Sequence, residues 1–396
     1  MSNNSDRDQV RIAIVGLGMA GSIMIPAIAT HPEVILAGAA EPSDQLRERF
    51  ARDYQCPVTV TVEELVELPD IDAVYIATPH QMHCDHVLLA AAHGKHVIVE
   101  KPMALTIDDC DAMIRGCEEA GVALIVGHTH GFDAPVAAIR EIVESGQLGP
   151  LRLILSFNYT DFMYRPRRPE ELDTSKGGGI LFNQVPHQVD MVRTIAGGAK
   201  VVGVTAAAGR FDAERATEGA VMAMLNLEGD AHVSIVYSGY DHFDSDELHG
   251  WVGEGGYPKE GAQGQTRIGL ENMRSESSES VLRNQLYGYG GKLWSRMHAM
   301  SNASDHPHFG TLIVSCERGD LRSVPGGIMI YSDSGPEFVK LPHARVGGGR
   351  SEVLDELCDF VLRDRKPFHD GHFGRETLAA CLAIMDATLQ DYTNLH

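Results

Sequence analysis

Two side chains in this sequence stand where a proton could be moved: Lys101 and His187. Lys101 closes the run His96-Val97-Ile98-Val99-Glu100-Lys101-Pro102. Its apolar part, Val97 to Val99, predicts a buried strand of a parallel sheet. Pro102 cannot continue a hydrogen-bonded ladder, so the strand ends there and releases Lys101 at its C-terminal edge. Open α/β sheets bind their ligands at that edge. His187 follows Gly177-Gly178-Gly179 and Asn183 and precedes Asp190. Spacings of four and three predict that Asn183, His187 and Asp190 share one helical face. Imidazole titrates near neutrality and can take a hydroxyl proton with little tuning. An amine needs its pKa lowered by burial or positive neighbours, and Glu100 beside Lys101 works the other way. Either group could be the base while the other orients a substrate oxygen. On spacing alone, a hydrogen-bonded core histidine is the stronger reading of His187.

These residues need a framework, and the first forty positions describe one. The apolar run Val10–Val15 leads directly into Gly16-Leu17-Gly18-Met19-Ala20-Gly21. In that spacing the first glycine makes a tight turn, the second admits a pyrophosphate, and the third lets helix pack on strand. The following helix, about 20–30, would aim its free N–H groups, from Met19 and Ala20 onward, at the phosphates. Val34–Ala40 is a second strand and ends in Glu41. A carboxylate about twenty residues past the last glycine accepts hydrogen bonds from the adenosine ribose and repels a 2′-phosphate, so NAD is expected rather than NADP. The competing reading is that Glu41 caps the helix starting at Pro42-Ser43-Asp44.

Alternation then continues. Helices are predicted at about 43–53 and 82–93, with strands Pro57–Val60, Ala73–Ala77 and Val122–Val126. Thr61 with Glu64, and Thr106 with Asp109, have the spacing of helix starts. Strands interleaved with helices mean a parallel sheet of right-handed crossovers. Residues 1–130 therefore read as a dinucleotide-binding Rossmann domain. Thr78, Pro79, His83, Glu100, Lys101 and His128 are expected beside the nicotinamide.

Residues 131–396 read as an α+β domain for substrate binding and oligomerisation. A helix over Phe132–Ser145 precedes strands Leu151–Tyr159, Val201–Ala208, Ala220–Leu227, His232–Ser238 and Thr311–Ser315, predominantly antiparallel. Glu352–Leu362 and Glu376–Asp391 are helical in period. Residues 240–308 are polar and weakly periodic, a long excursion or a lid.

The formal charge of -22 over 396 residues excludes the basic surface that nucleic acid or an anionic membrane requires. Residues 1–9 lack the apolar core of a signal peptide, and no run is long enough to span a membrane. Seven scattered cysteines suggest free thiols and a cytoplasmic protein. The histidine pairs His128/His130 and His306/His308 lack cysteine partners and a regular ligand spacing, so no metal is expected. One segment runs against the acidic background: Tyr164-Arg165-Pro166-Arg167-Arg168-Pro169. Guanidinium binds carboxylate through two parallel hydrogen bonds, so Arg165, Arg167 and Arg168 could hold a substrate with more than one carboxylate. Pairing with Glu170 and Glu171 is the plainer alternative.

The glycine run Gly16–Gly21, Thr78-Pro79 with His83, and Glu100-Lys101-Pro102 resemble the Gfo/Idh/MocA oxidoreductases. The resemblance implies a Rossmann domain followed by an open-faced β-sheet domain. It also implies hydride transfer to nicotinamide, catalysis by His187 with Lys101, and a structural or substrate-positioning carboxylate at Asp190. The family's first aspartate of the helix is Asn183 here, which can hold a hydroxyl but cannot ionise. Within the family three stretches look like the phthalate 4,5-cis-dihydrodiol dehydrogenases. They are Gly127-His128-Thr129-His130 with Phe132-Asp133, the arginine segment, and Tyr237-Ser238-Gly239-Tyr240-Asp241-His242-Phe243-Asp244. This resemblance implies oxidation of phthalate 4,5-cis-dihydrodiol to 4,5-dihydroxyphthalate in aromatic degradation. Alternatives on the same fold are an inositol or sugar dehydrogenase, an NAD-dependent glycosidase, and a non-catalytic NAD sensor. A homodimer or homotetramer is expected, because the open sheet face must be covered.

Overall fold

The computed structural model describes residues 8–261, 263–274, 277–292, 294, 305–343 and 345–390. Expectations for the first seven residues, for Asp391 and for parts of 240–308 fall outside them. The described residues form two compact units. One comprises those within Met1–His128, Asn284–Ser301 and Arg350–Leu378, and the other those within Thr129–Arg283, Asn302–Gly349 and Ala379–His396.

The first unit is built on strands β1 (Val10–Val15), β2 (Val34–Ala40), β3 (Val58–Thr59), β4 (Ala73–Ile76), β5 (His96–Val99) and β6 (Leu124–Val126). All pair in parallel in the order β3-β2-β1-β4-β5-β6. Helices α1 (Met19–Thr30), α2 (Asp44–Tyr54), α3 (Val62–Val66), α4 (His83–Ala92) and α5 (Ile107–Ala120) make the crossovers. β1, β4 and β5 are almost wholly buried, as continuous apolar runs require when helices cover both faces. Thr61 accepts from the Glu64 N–H in a full capping box, and Thr106 accepts from the Asp109 N–H, so both helix starts lie where the hydroxyls place them.

Two stretches from the second part of the sequence fold with this unit. Val126 donates to the His369 carbonyl at 2.9 Å, and Ile125 bridges Asp370, so residues 369–370 satisfy the edge strand β6. Tyr289 packs its ring on Phe50 of α2, centroid to centroid 5.3 Å. Neither docking leaves a periodic mark in sequence.

The second unit holds an eight-stranded sheet in the order β14-β13-β12-β11-β7-β10-β9-β8. Its strands are β7 (Leu151–Tyr159), β8 (Val201–Gly209), β9 (Ala220–Leu227), β10 (His232–Ser238), β11 (Thr311–Cys316), β12 (Gly319–Val324), β13 (Gly327–Ser332) and β14 (Gly335–Lys340). Only β7 and β10 are parallel; the other neighbours are antiparallel. Helices α6 (Ala134–Ser145), α7 (Gly179–Asn183) and α8 (Val185–Ile195) complete the part of the unit that bears the site. α6 and α8 carry Val136, Ile139, Val189 and Val192 into a core shared with Ile154, Val233 and Leu312 of the strands. The opposite sheet face stays open, with Leu153, Met222 and Met224 exposed by 52%, 59% and 63%. The excursion contains the helices Gln265–Arg274 and Glu279–Tyr287, so part of it is ordered where the weak periodicity suggested loop.

Gln188 ties α8 to the parallel pair. Its amide is fully buried and donates to the Ser156 carbonyl and hydroxyl on β7 and to the Val236 carbonyl on β10, at 3.0–3.3 Å. Gln188→Leu keeps the volume but leaves those acceptors dry. We expect a loss of about 2 kcal/mol in urea unfolding. An unchanged midpoint would contradict this assignment.

Candidate active site

The glycine turn has three different geometries for its three glycines. Gly16 sits at φ +94°, where only glycine is unstrained, and a Cβ there would lie 3.0 Å from the Ala77 carbonyl. A Cβ on Gly21 would overlap the Gly16 carbonyl oxygen, so α1 and β1 approach as closely as backbone allows. Around Gly18 the space is open, with nothing within 4 Å of a Cβ position. Gly18 also caps α1 and, having no side chain, supplies no capping oxygen to its first N–H groups, at Met19 and Ala20. A helix start free of capping oxygens beside open space is a cradle for a pyrophosphate. The residues present fit a dinucleotide.

Glu41 is buried and accepts from two backbone N–H groups, Leu17 at 2.9 Å and Ser43 at 3.0 Å. The carboxylate braces the glycine turn and the start of α2 at once. A carboxylate oxygen has a second lone pair, so bracing leaves capacity for ribose hydroxyls.

At the tips of β4 and β5 the chain is held by histidine and tyrosine. His83 is fully buried, with Nε2 at 3.0 Å from the Thr78 carbonyl and Nδ1 at 3.1 Å from that of Pro102. It joins the Thr78-Pro79 loop to the one beyond Lys101 and does not reach solvent. Burial lowers its pKa, although the carbonyls and Glu100 pull upward. Tyr75, also buried, donates to Glu100, whose other oxygen accepts from the Lys101 N–H at 3.1 Å. Burial and Glu100 push the Tyr75 pKa far up, so it stays a donor. Glu100 is thus a brace for Lys101, and the Lys101–Pro102 peptide is cis. Thr78 pairs with His86 at 3.0 Å. His128 is buried one residue beyond Gly127, whose N–H donates to Val99.

In the second unit the three residues expected on one helix are divided. α7 ends at Asn183, Gln184 lies between, and α8 restarts at Val185 with Pro186 in its first turn. Proline supplies no N–H for a continuous ladder, so the helix breaks there. Asn183 turns back and donates to the Gly177 and Gly179 carbonyls at 3.2 and 2.8 Å. The glycines make that turn possible: Gly177 and Gly179 have φ of +79° and +74°. Asp190 is fully buried and accepts from the Gly131 N–H at 2.9 Å. His187 is partly exposed, its ring 4.8 Å from those of His130 and Phe309. His130 in turn binds Asp133, 2% exposed, at 2.7 Å.

His130 and Asp133 are members of this constellation that sequence reading left without a role. Their i, i+3 spacing was the available signal. An Asp beside one imidazole nitrogen fixes the tautomer and leaves the other nitrogen to accept. Among the described residues no group of three or more His, Cys, Asp or Glu is arranged to hold a metal.

The arginines do not form one clamp. Arg165 pairs with Asp161 at 2.7 Å and Glu254 at 3.5 Å. Burial raises the pKa of Asp161, but Arg165 and Thr266 outweigh it and hold the carboxyl at about 2. Arg167 is buried over the Phe162 ring, 3.7 Å from its centre, and donates to the Phe162 carbonyl. Arg168 has no carboxylate paired to its guanidinium among the described residues; it meets Glu171 through its backbone, the N–H donating to the Glu171 carboxylate at 2.8 Å and the carbonyl accepting from the Glu171 N–H at 3.0 Å. Glu279 gathers the segment from outside, accepting from Arg167 N–H, Arg215 and Arg274.

A glycine turn with open space at its second glycine, a buried carboxylate bracing it and a parallel sheet in this order define a dinucleotide-binding fold. The chain belongs to the Gfo/Idh/MocA family and is an NAD-dependent dehydrogenase. Residues 10–128 match the oxidoreductase family's NAD-binding Rossmann fold, and residues 136–254 match the GFO/IDH/MocA C-terminal domain. The chain is 41% identical over 380 residues to a 1-carboxy-3-chloro-3,4-dihydroxycyclohexa-1,5-diene dehydrogenase of Comamonas testosteroni, covering 95% of this chain and 94% of that one. A crystal structure of a chain from Bordetella bronchiseptica RB50, provisionally called a dehydrogenase, superposes with a TM-score of 0.91 at 44% identity over 97% and 98% of the two chains. An Agrobacterium radiobacter oxidoreductase in complex with NAD+, L-tartaric acid and magnesium shares the fold, with a TM-score of 0.72 at 16% identity over 97% of each chain.

The two glycines separate stability from coenzyme binding. Gly21→Ala is expected to cost about 2 kcal/mol or more, because backbone must move. Gly18→Ala should stay within about 1 kcal/mol of wild type while weakening NADH about tenfold, since its methyl enters the open approach. Denaturation paired with NADH fluorescence titration checks both; equal effects of the two substitutions would contradict the assignment.

Proposed function

We propose that this dehydrogenase oxidises one hydroxyl of a carboxylated cyclic cis-dihydrodiol, phthalate 4,5-cis-dihydrodiol yielding 4,5-dihydroxyphthalate. The observation that carries the reading is the 41% identity, along 94% of its length, to a relative named for a carboxylated dihydroxycyclohexadiene. Bound NAD supplies the hydride acceptor. The ketone formed tautomerises to an aromatic diol, so aromaticity drives the reaction and the protein needs only to align the carbinol and receive its proton. His187 takes that proton, its ring steadied by His130 and Phe309. Lys101, braced through Glu100, orients and polarises the substrate oxygen. Asp190 positions the His130 loop, and Asn183 holds the glycine turn ahead of α8. Of the three arginines, Arg168 is assigned the substrate carboxylate, because Arg165 is engaged by Asp161 and Glu254 and Arg167 is buried.

The test is NADH absorbance with the phthalate dihydrodiol, its uncarboxylated benzene analogue and myo-inositol. Turnover of the dicarboxylate with at least ~10-fold preference over the benzene analogue is expected, and Arg168→Gln should erase it, a charge-assisted contact being worth about 1.5–3 kcal/mol. Turnover of myo-inositol alone would overturn the reading. Arg165→Gln should act on stability instead, costing about 3 kcal/mol as two carboxylates lose their cation. Asp161 is depressed from 3.8 to about 2, so its stabilising contribution is present above pH 3.8 and is lost as pH falls toward 2. Without Arg165, acid unfolding should begin at higher pH; an unmoved acid transition would contradict the pairing.

We further propose that the open sheet face meets a second copy of the chain, in a homodimer or homotetramer. Leu153, Met222, Met224 and Phe338 present an apolar surface, each more than half exposed. Light scattering should give a dimeric or larger mass for the wild type and a smaller one for Met222→Glu/Met224→Glu. A monomeric wild type would refute it.

A further inference from the structure

The adenosine half of the coenzyme site is not finished by residues 10–128. Leu17, between Gly16 and Gly18, has its N–H held by Glu41 at 2.9 Å. Its carbonyl accepts from the Ser22 hydroxyl at 3.1 Å and from the backbone N–H of Tyr289 at 3.2 Å. Tyr289 comes from the far excursion, more than 250 residues along the chain, yet folds with the first unit. Its side chain is 3% exposed. The ring lies on Phe50 and Tyr54 of α2, at 5.3 and 6.2 Å between centroids, and the hydroxyl donates to Asp53 at 2.9 Å. Arg49 of the same helix donates to the Gly290 carbonyl at 3.2 Å and sits over the Tyr289 ring, 5.5 Å from its centre.

One residue of the glycine turn, Leu17, is therefore gripped at both its N–H and its carbonyl, and the residue after it is the glycine with open space around it. The same strap is anchored to α2, the helix that starts three residues after Glu41. We propose that the segment around Tyr289 is a positioning element of the coenzyme site, fixing the glycine turn against α2 so that the pyrophosphate finds its donors, and the adenosine ribose its carboxylate acceptor, already placed. The inference rests on the NAD reading and concerns affinity for the coenzyme, not the chemical step. Preorganisation of this kind lowers the ordering cost of binding and so appears in Kd.

The experiment is fluorescence titration of the full-length protein with NADH, with ADP-ribose as a competitor lacking nicotinamide, alongside thermal unfolding. Tyr289→Ala should raise the Kd of NADH and of ADP-ribose by the same factor, about 5- to 30-fold, the range that 1–2 kcal/mol of lost preorganisation produces. Tyr289→Phe keeps the ring and the backbone donor and should stay within about twofold. If Tyr289→Ala does not fold, Arg49→Met removes the bond to Gly290 and should raise both constants by about 2- to 5-fold. Variants that melt earlier but bind NADH like the wild type would overturn the proposal, leaving a strap that only stabilises. A wild type that binds no NADH would overturn the coenzyme reading itself, and this proposal with it.

Discussion

The first unit depends on the close approach of Gly21 to the carbonyl of Gly16, which leaves no room for a Cβ. That contact sets the angle at which α1 leaves β1 and so where the N-terminus of α1 points. Because a Cβ would overlap the oxygen, the position admits glycine alone. The turn it creates is then locked by hydrogen bonds that bracket a single residue, Leu17, from Glu41 at its N–H and from Ser22 and Tyr289 at its carbonyl. An anion approaching Gly18 meets N–H groups that need no further ordering, which is the physical content of a preformed phosphate site.

Braced polar groups recur wherever a reactive side chain must be aimed. Tyr75 and Glu100 support the backbone of Lys101; His83 clasps the two strand-tip loops; Asp190 holds the loop bearing His130. Each brace is buried or nearly so, where a hydrogen bond is stronger and an unmade one is costly. The groups left partly exposed, Lys101 and His187, are the ones assigned to substrate. The arginine segment obeys the same economy. Arg165 and Arg167 serve the fold, through Asp161, Glu254 and the Phe162 ring, and Arg168 keeps a guanidinium with no carboxylate paired to it among the described residues.

What could be read in the sequence was what local pattern determines. β1, the glycine spacing, Glu41 and the strand ending at Lys101 follow from period, proline and glycine within a few residues of each other. Thr61 and Thr106 were legible as caps for the same reason. The spacing of Asn183, His187 and Asp190 misled because Pro186 and Gln184 break the helix between them. The arginines read as one clamp because they are neighbours in sequence, whereas Glu254 and Glu279, which divide them, lie about ninety and more than a hundred residues away. The meander β12 to β14 went unread although Pro325-Gly326 marks one of its turns. Tyr289 was beyond reach, since a backbone N–H donated to a distant carbonyl has no side-chain signature.

The central claim is that hydride leaves a ring carbinol of the substrate and stays on the coenzyme. It is tested most directly by mass spectrometry of the coenzyme after turnover of phthalate 4,5-cis-dihydrodiol deuterated at both carbinol carbons. The account predicts one deuterium in each NADH formed, in step with dihydroxyphthalate. Unlabelled NADH, or product without net NADH, would contradict it.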